Sequence, residues 1–320
     1  MTKPRSATES AGKEKDMRID VIPAGGKYYR ANLHCHTTIS DGQLTPEEVK
    51  AHYKAYGYQV IAYTDHRNMV DHSDLNDPDF LALTGFEMDF TSGTREIPYK
   101  LRRTCHINLI SPEPARAHRE DPAGYSPELV NAYVKWGHDN GYLVHYNHPE
   151  WSVEDQNDYS SYEGFDAMEI YNHGCYLGGW HEENAIVYEY MLKKHGKLFC
   201  LATDDNHTAL DMCGGYVMIK APELSYGAVF GALKNGDYYA SWGASIDEVY
   251  VEDGVFHVTT PGAREIAFTT GIRHAHRVIA KEGESLTHAE FTIDPDDVFV
   301  KAEVIDEAGR RAYTNAWFLK

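Results

Sequence analysis

Basic charge is what this 320-residue chain has least of: 30 Lys and Arg stand against 49 Asp and Glu, a formal net charge of −19 at pH 7. A nonspecific nucleic-acid or anionic-membrane surface needs a basic patch that neutralises phosphate, so neither is expected as a partner. Cysteine is scarce too. Cys35, Cys105, Cys175, Cys200 and Cys213 are odd in number and form no CxxC pair. They read as reduced thiols of a cytoplasmic protein rather than a disulfide framework. No apolar run approaches the length of a membrane span. Residues 1–16 lack an apolar core and read as a disordered tail, not a signal peptide.

What is present suffices for a sizeable core. Hydrophobic residues make up 42% of the chain, and 23 Tyr and 5 Trp add large aromatic surfaces. Barrels of alternating strands and helices run to about 250 residues as one unit, so one large and one small domain are expected. Strand-like runs at 58–63, 80–86, 104–110, 141–146, 165–171 and 197–202 follow a first one ending at Asn32. Helical patterns fall between several of them. Thr45 is an N-cap with Pro46 at the first helical position, Ser126-Pro127-Glu128 opens a second helix, and 181–195 forms a third. Alternation implies a parallel sheet, and this many repeats favour a closed barrel with its chemistry at the strand C-termini.

Six histidines and three carboxylates test that rule: His34, His36, Asp41, His66, Glu87, His106, His148, Asp205 and His207. Residues i and i+2 of a strand share a side, so His34 and His36 can grip one ion where the first strand ends. His66, Glu87, His148, Asp205 and His207 each follow the apolar part of a strand. His106 lies near the start of its run, so a distorted or reversed strand is required to bring it to the same rim. In Thr203-Asp204-Asp205-Asn206-His207 only Asp205 shares a face with His207, which leaves Asp204 behind the ligands.

His34-Cys35-His36 with Ser40-Asp41-Gly42, Thr64-Asp65-His66, Gly85-Phe86-Glu87, Cys105-His106-Ile107, Asn147-His148-Pro149 and Asp205-Asn206-His207 resemble, in order, the motifs of the PHP (polymerase and histidinol phosphatase) superfamily. The resemblance implies a distorted (β/α)7 TIM-like barrel over 17–237 that holds two or three divalent ions, commonly manganese, iron or zinc. It implies hydrolysis, usually of phosphate esters. Position by position, His34, His36 and Asp205 resemble ligands of a first ion, and Asp41, His66 and His207 those of a second. Glu87 resembles the bridging carboxylate. His106 and His148 resemble ligands of a third ion, with Asp205 a further candidate for it. Several members place a histidine where this chain has Gly42, and Asp41 is the substitute.

Six neutral imidazoles and three carboxylates around such ions leave a centre that attracts an anion. Water held between two ions about 4 Å apart loses a proton near neutral pH, giving a metal-bridging hydroxide as nucleophile. Glu87, Asp205 and His207 are the expected catalytic residues beside it. The mixed N/O donor set suits manganese, iron or zinc better than calcium or magnesium. Arg67, Lys100, Arg102 and Arg103 are candidates for substrate phosphate or for a solvated basic surface. His173 and His181 flank a Gly-rich stretch and are candidates for the rim. His145 is read as facing the barrel wall. His52, His72, His118, His138, His195, His257, His274, His276 and His288 are read as ordinary surface or packing histidines.

From about Tyr238 to the C-terminus, short alternating runs separated by Gly, Pro and Asp suggest a small antiparallel β-sandwich domain, 238–320, ending in a hairpin over 306–315. A barrel followed by such a domain is similar to the carbaryl-hydrolase-type branch of the superfamily. The expected function is therefore a metal-dependent phosphoesterase acting on a small phosphorylated substrate. Carbamate or carboxyl ester hydrolysis, 5′-end nuclease activity and a noncatalytic metal-stabilised binding module are the alternatives.

Overall fold

The computed structural model describes residues 18–319; the tail expected at 1–16 lies outside them. Its centre is a large mixed sheet. The strands run in the order Phe199–Thr203, Ala167–Asn172, Leu143–Tyr146, Thr104–Ile110, Leu81–Thr91, Val60–Tyr63, Lys27–Asn32 and Tyr216–Ala221. Most neighbours in the first part are parallel, but Thr104–Ile110 is antiparallel to both of its partners. That reversal puts the start of this strand at the rim where its neighbours end, which is what His106 required.

The expected closed barrel is not formed by a continuous ladder among the described residues. Lys27–Asn32 has one edge on Val60–Tyr63 and the other on antiparallel Tyr216–Ala221, so no edge is left for Phe199–Thr203. The backbone beyond the ends of Lys27–Asn32 and Phe199–Thr203 does come together. There Cys35 and Asn206 form an isolated parallel bridge, His36 N–H donates to the Asn206 carbonyl at 3.1 Å, and Asp205 N–H to that of His34 at 3.0 Å.

Local signals explain the flanking elements. Helix Pro46–Ala55 opens with a capping box in which the Thr45 hydroxyl accepts from Glu48 N–H and the Glu48 carboxylate from Thr45 N–H. Pro127–Asp139 starts behind the Ser126 cap. The third helix runs Ala185–His195, not from 181. Asn184 N–H donates to the Ile170 carbonyl and Glu183 bridges to Tyr171, so 182–184 serve the neighbouring strand before the helix begins.

Continuing the same sheet, Tyr238–Ser241 pairs with Tyr216–Ala221 and with Arg311–Thr314, then Phe299–Ile305, Glu265–Thr270 and Ala275–Ile279 follow. A second, four-stranded antiparallel sheet of Ile19–Asp20, Glu248–Glu252, Val255–Ala263 and Leu286–Thr292 contributes to the same core, where Phe256, Val258, Phe268, Phe291, Val300 and Val304 are buried together. Two features differ from the expected division at 237. Hydrogen bonding is continuous across it, and Ile19–Asp20 belongs to the C-terminal sheet. The expected terminal hairpin is present, with Ile305 opposite Arg311.

One half-buried carboxyl in the first unit sets a pH dependence. The hydroxyls of Tyr125, Tyr146 and Tyr162 all donate to Glu154. Burial outweighs these donors and raises its pKa from 4.5 to about 8. The folded state therefore holds a proton that the unfolded chain releases at lower pH. This contribution to stability is full below the unfolded value and is lost as pH rises toward about 8. Urea midpoints are expected to fall over that window in the wild type and to fall less in Glu154→Gln. Equal slopes for the two proteins would refute it.

Candidate metal centre

His34 and His36 stand just past Lys27–Asn32, and their Nε2 atoms converge to 3.1 Å. The backbone that carries them is fixed from within: Asn32 Nδ2 donates to the His34 carbonyl at 2.8 Å, while Asn32 Oδ1 accepts from Asp204 N–H at 3.0 Å. The loop leading to Asp41 is held by Asp65. Its carboxylate accepts from Thr37 N–H at 2.8 Å, Thr37 Oγ1 at 2.9 Å and Ser40 Oγ at 2.7 Å. Gly42 shows why no histidine stands there: a Cβ would lie 2.5 Å from the His36 carbonyl oxygen. In this loop Asp41 is the residue that faces His66 and His207, each at 3.5 Å.

Glu87 sits at the middle of the cluster, nearly without solvent contact. Oε1 lies 2.9 Å from His106 Nδ1, 3.3 Å from His34 Nε2 and 3.4 Å from His148 Nε2. Oε2 lies 3.1 Å from His66 Nδ1 and 3.3 Å from His36 Nε2. Its strand continues to Thr91 instead of ending before it, because from Gly85 onward it pairs with the reversed Thr104–Ile110. Asp205 has φ 51, a left-handed turn that aspartate tolerates better than most residues. Its Oδ1 lies 3.2 Å from His34 Nε2 and 3.1 Å from His36 Nε2, and its Oδ2 3.6 Å from His148 Nε2. Asp204 turns the other way and accepts from the amides of Cys213, Gly214 and Gly215.

All nine expected residues thus meet in one place. Donor atoms within 4.8 Å of one another form the overlapping groups His34–His36–Asp205, His36–Asp41–His66–His207, His34–Glu87–His148 and His66–Glu87–His106. The first has the residues expected around a first ion, and the second adds His36 to the Asp41, His66 and His207 expected around a second. His106 and His148, expected together, fall in different groups with Glu87 common to both, although their rings are only 5.0 Å apart.

Divalent cations fit this donor set. His66 Nδ1 is buried and hydrogen-bonded to nothing, and imidazole nitrogens converge instead of each finding a donor. His34 Nδ1 is 2.7 Å from Glu169 Oε1; assigning that proton to Nδ1 leaves the Nε2 lone pair toward the centre, as a ligand needs. The carboxylates favour the protonated form of two of the histidines. Burial opposes charge on His148 and His207, but contact with Glu87 and with Asp41 respectively, plus the field of Asp205, raises both to about 9. Cation loading must displace these protons. Apparent affinity is expected to rise with pH and level off near pH 9; a flat profile in competition titrations from about pH 6 to about pH 9 would contradict this.

A cleft of about 480 Å³ opens over the cluster, walled by Tyr99, Trp151 and Trp180 and floored by Glu87, Asp205 and His148. Of the six candidates for substrate or rim contact, Lys100 included, only Arg67 lines it, and it is paired with Asp89 and Asp121. Arg103 turns away to Asp158 at 2.8 Å and Asp155 at 3.4 Å. Arg102 and His181 do not line the cleft, nor does His173, whose Nδ1 is 2.8 Å from the Tyr171 hydroxyl. His145 is fully buried away from the donor groups. Sequence reasoning missed Glu169, which accepts from His34 Nδ1, His148 N–H, Asn172 Nδ2 and Thr203 Oγ1. It also missed Asn147, whose amide donates to Glu87 Oε1 at 2.9 Å.

The PHP domain profile matches residues 32–204, more than half of the chain, and takes in seven of the nine clustered residues, Asp205 and His207 lying just beyond it. The chain belongs to the PHP domain family. Among solved structures, this PHP protein is similar to a Bacteroides vulgatus two-domain protein containing a predicted PHP-like metal-dependent phosphoesterase. Identity is 14% and the TM-score 0.45, with 96% of this chain and 100% of the other covered. PsfC from Pseudomonas syringae aligns at 12% identity and TM-score 0.44 over 70% of this chain and 91% of its own. An amidohydrolase from Chromobacterium violaceum aligns at 16% and 0.37 over 56% and 87%. No curated protein matches the chain. Among the described residues no helix is long and apolar enough to cross a membrane, and all five cysteines are unpaired.

Proposed function

We propose that this PHP protein is a metal-dependent phosphoesterase that holds two to three divalent ions, manganese, iron or zinc, in a distorted barrel. The observation that carries the reading is the convergence of five imidazoles on the two oxygens of Glu87 beneath an open cleft. Bound cations would supply Lewis acidity toward a phosphoryl oxygen and lower the pKa of a water nucleophile to about 7. Glu87 and Asp205 would be among the residues that hold the ions. His207, the most exposed of the six clustered histidines, stands at the mouth of the site with Nε2 toward Asp41 and would hold them too. A single phosphate ester of a small substrate fits the cleft, and unpaired thiols suit a cytoplasmic setting.

A second reading has its own support. The arginine of the cleft is neutralised by Asp89 and Asp121, while Tyr99, Trp151 and Trp180 form an aromatic wall. That lining suits an aryl carbamate or carboxyl ester at the same centre. The deciding experiment is elemental analysis with hydrolysis of a chromogenic phosphate monoester, a diester and an aryl carbamate, with manganese added and then chelated. Chelator-sensitive phosphate ester turnover is expected. Turnover of the carbamate alone moves the assignment to the second reading, and absence of metal after reconstitution overturns both.

A further inference from the structure

The outer face of the C-terminal four-stranded sheet carries a second group of donors, far in sequence from the first. His257 lies on Val255–Ala263, and His288 and Glu290 on Leu286–Thr292, directly hydrogen-bonded to it. Phe256, Val258, Ala289 and Phe291 point into the core, so the alternation of the strands sends these three side chains outward together. Glu290 is the registered partner of His257, and His288 stands two residues before Glu290 on the same face. From the sequence alone both histidines had no visible partner, because 30 residues of hairpin and loop separate them.

The geometry points to a divalent-cation site, zinc foremost, formed by His257, His288 and Glu290. His257 Nδ1 lies 3.1 Å from His288 Nε2 and 3.9 Å from Glu290 Oε2, and the three donors fall within 4.8 Å of one another. Tetrahedral zinc with bonds of ~2.0–2.1 Å requires donors about 3.3 Å apart, so small side-chain rotations satisfy it. Two ligands at i and i+2 of one strand and a third from the neighbouring strand occupy three corners, and the fourth faces solvent. His257 is braced for this by Tyr250, whose ring stacks on it at 4.7 Å. Two imidazoles and a carboxylate are a sufficient donor set for zinc and a poor one for calcium. The ion would tie the second and third strands of this sheet together across their outer face.

Zinc titration of the full chain against a chromogenic chelator tests this, comparing wild type with H257A/H288A and E290Q. The centre in the first unit contributes equally to all three, so the difference isolates the surface site. Wild type is expected to bind one zinc ion more per chain than the double variant, and E290Q to bind that ion roughly tenfold more weakly. H288A alone, which removes one exposed ring, is the second variant and is expected to lose the same ion with the far-UV spectrum unchanged. Equal zinc stoichiometry in wild type and in either histidine variant overturns the proposal. An E290Q affinity equal to that of wild type overturns the three-ligand assignment.

Discussion

Replacing Glu87 by glutamine is expected to abolish turnover, with a loss on the order of 10³-fold or more, and to lower bound metal by at least one ion per chain. Five histidine nitrogens face its two oxygens. Glutamine keeps the shape but replaces one oxygen by an N–H donor, which would then point at lone pairs or at a cation. Burial opposes ionisation of Glu87, but His106, His34 and His66 hold its pKa well below the usual carboxylate range, so the wild-type group is an anion throughout the neutral range. Far-UV spectra and the urea midpoint are expected to stay close to wild type in the loaded protein, because no volume is lost. A variant with full metal content and normal ester hydrolysis would remove Glu87 from the centre of the site.

Glu169→Ala is expected to lower metal affinity by about 10–100-fold while leaving every proposed ligand in the sequence intact. Glu169 touches no cleft solvent. It holds His34 Nδ1 at 2.7 Å and, through its second oxygen, the amide of His148 at 3.1 Å and Asn172 Nδ2 at 2.9 Å. Asn172 in turn donates to Asp205 at 3.1 Å, so one carboxylate orients three of the nine residues. Its loss leaves several buried donors unpaired, at about 1–3 kcal/mol for each. The readout that separates positioning from simple destabilisation is metal affinity at saturating stability, measured by competition well below the unfolding temperature. Unchanged affinity, with only a lower urea midpoint, would make Glu169 structural.

The nine clustered residues were legible in the sequence because strand periodicity and motif order both act locally. His34 and His36 share a side by the period of two, and His66, His148 and Asp205 lie just beyond short buried strands. Residues that support these ligands were not legible. Glu169 sits inside the apolar run Ala167–Asn172, where nothing local marks it as anything but an odd charge. Its meaning comes from His34, 135 positions earlier in the chain. Arg103 looked like a phosphate contact because it lies just before His106, but it stands outside the strand Thr104–Ile110 and pairs with Asp158 instead.

The sequence by itself determined which nine residues of the first unit cluster, where the helices behind Thr45 and Ser126 begin and which strands are buried, since caps, alternation and donor chemistry depend on near neighbours. Only the tertiary structure decided how the donors divide into groups, and that Thr104–Ile110 runs backwards to deliver His106. It also decided that Tyr216–Ala221 occupies the edge a closed ladder would need, that Ile19–Asp20 joins the C-terminal sheet, and that His257 meets His288. Strand direction, edge pairing and cross-strand register are settled by which distant segments bury one another's apolar faces, and that competition is not written in any single window of the chain.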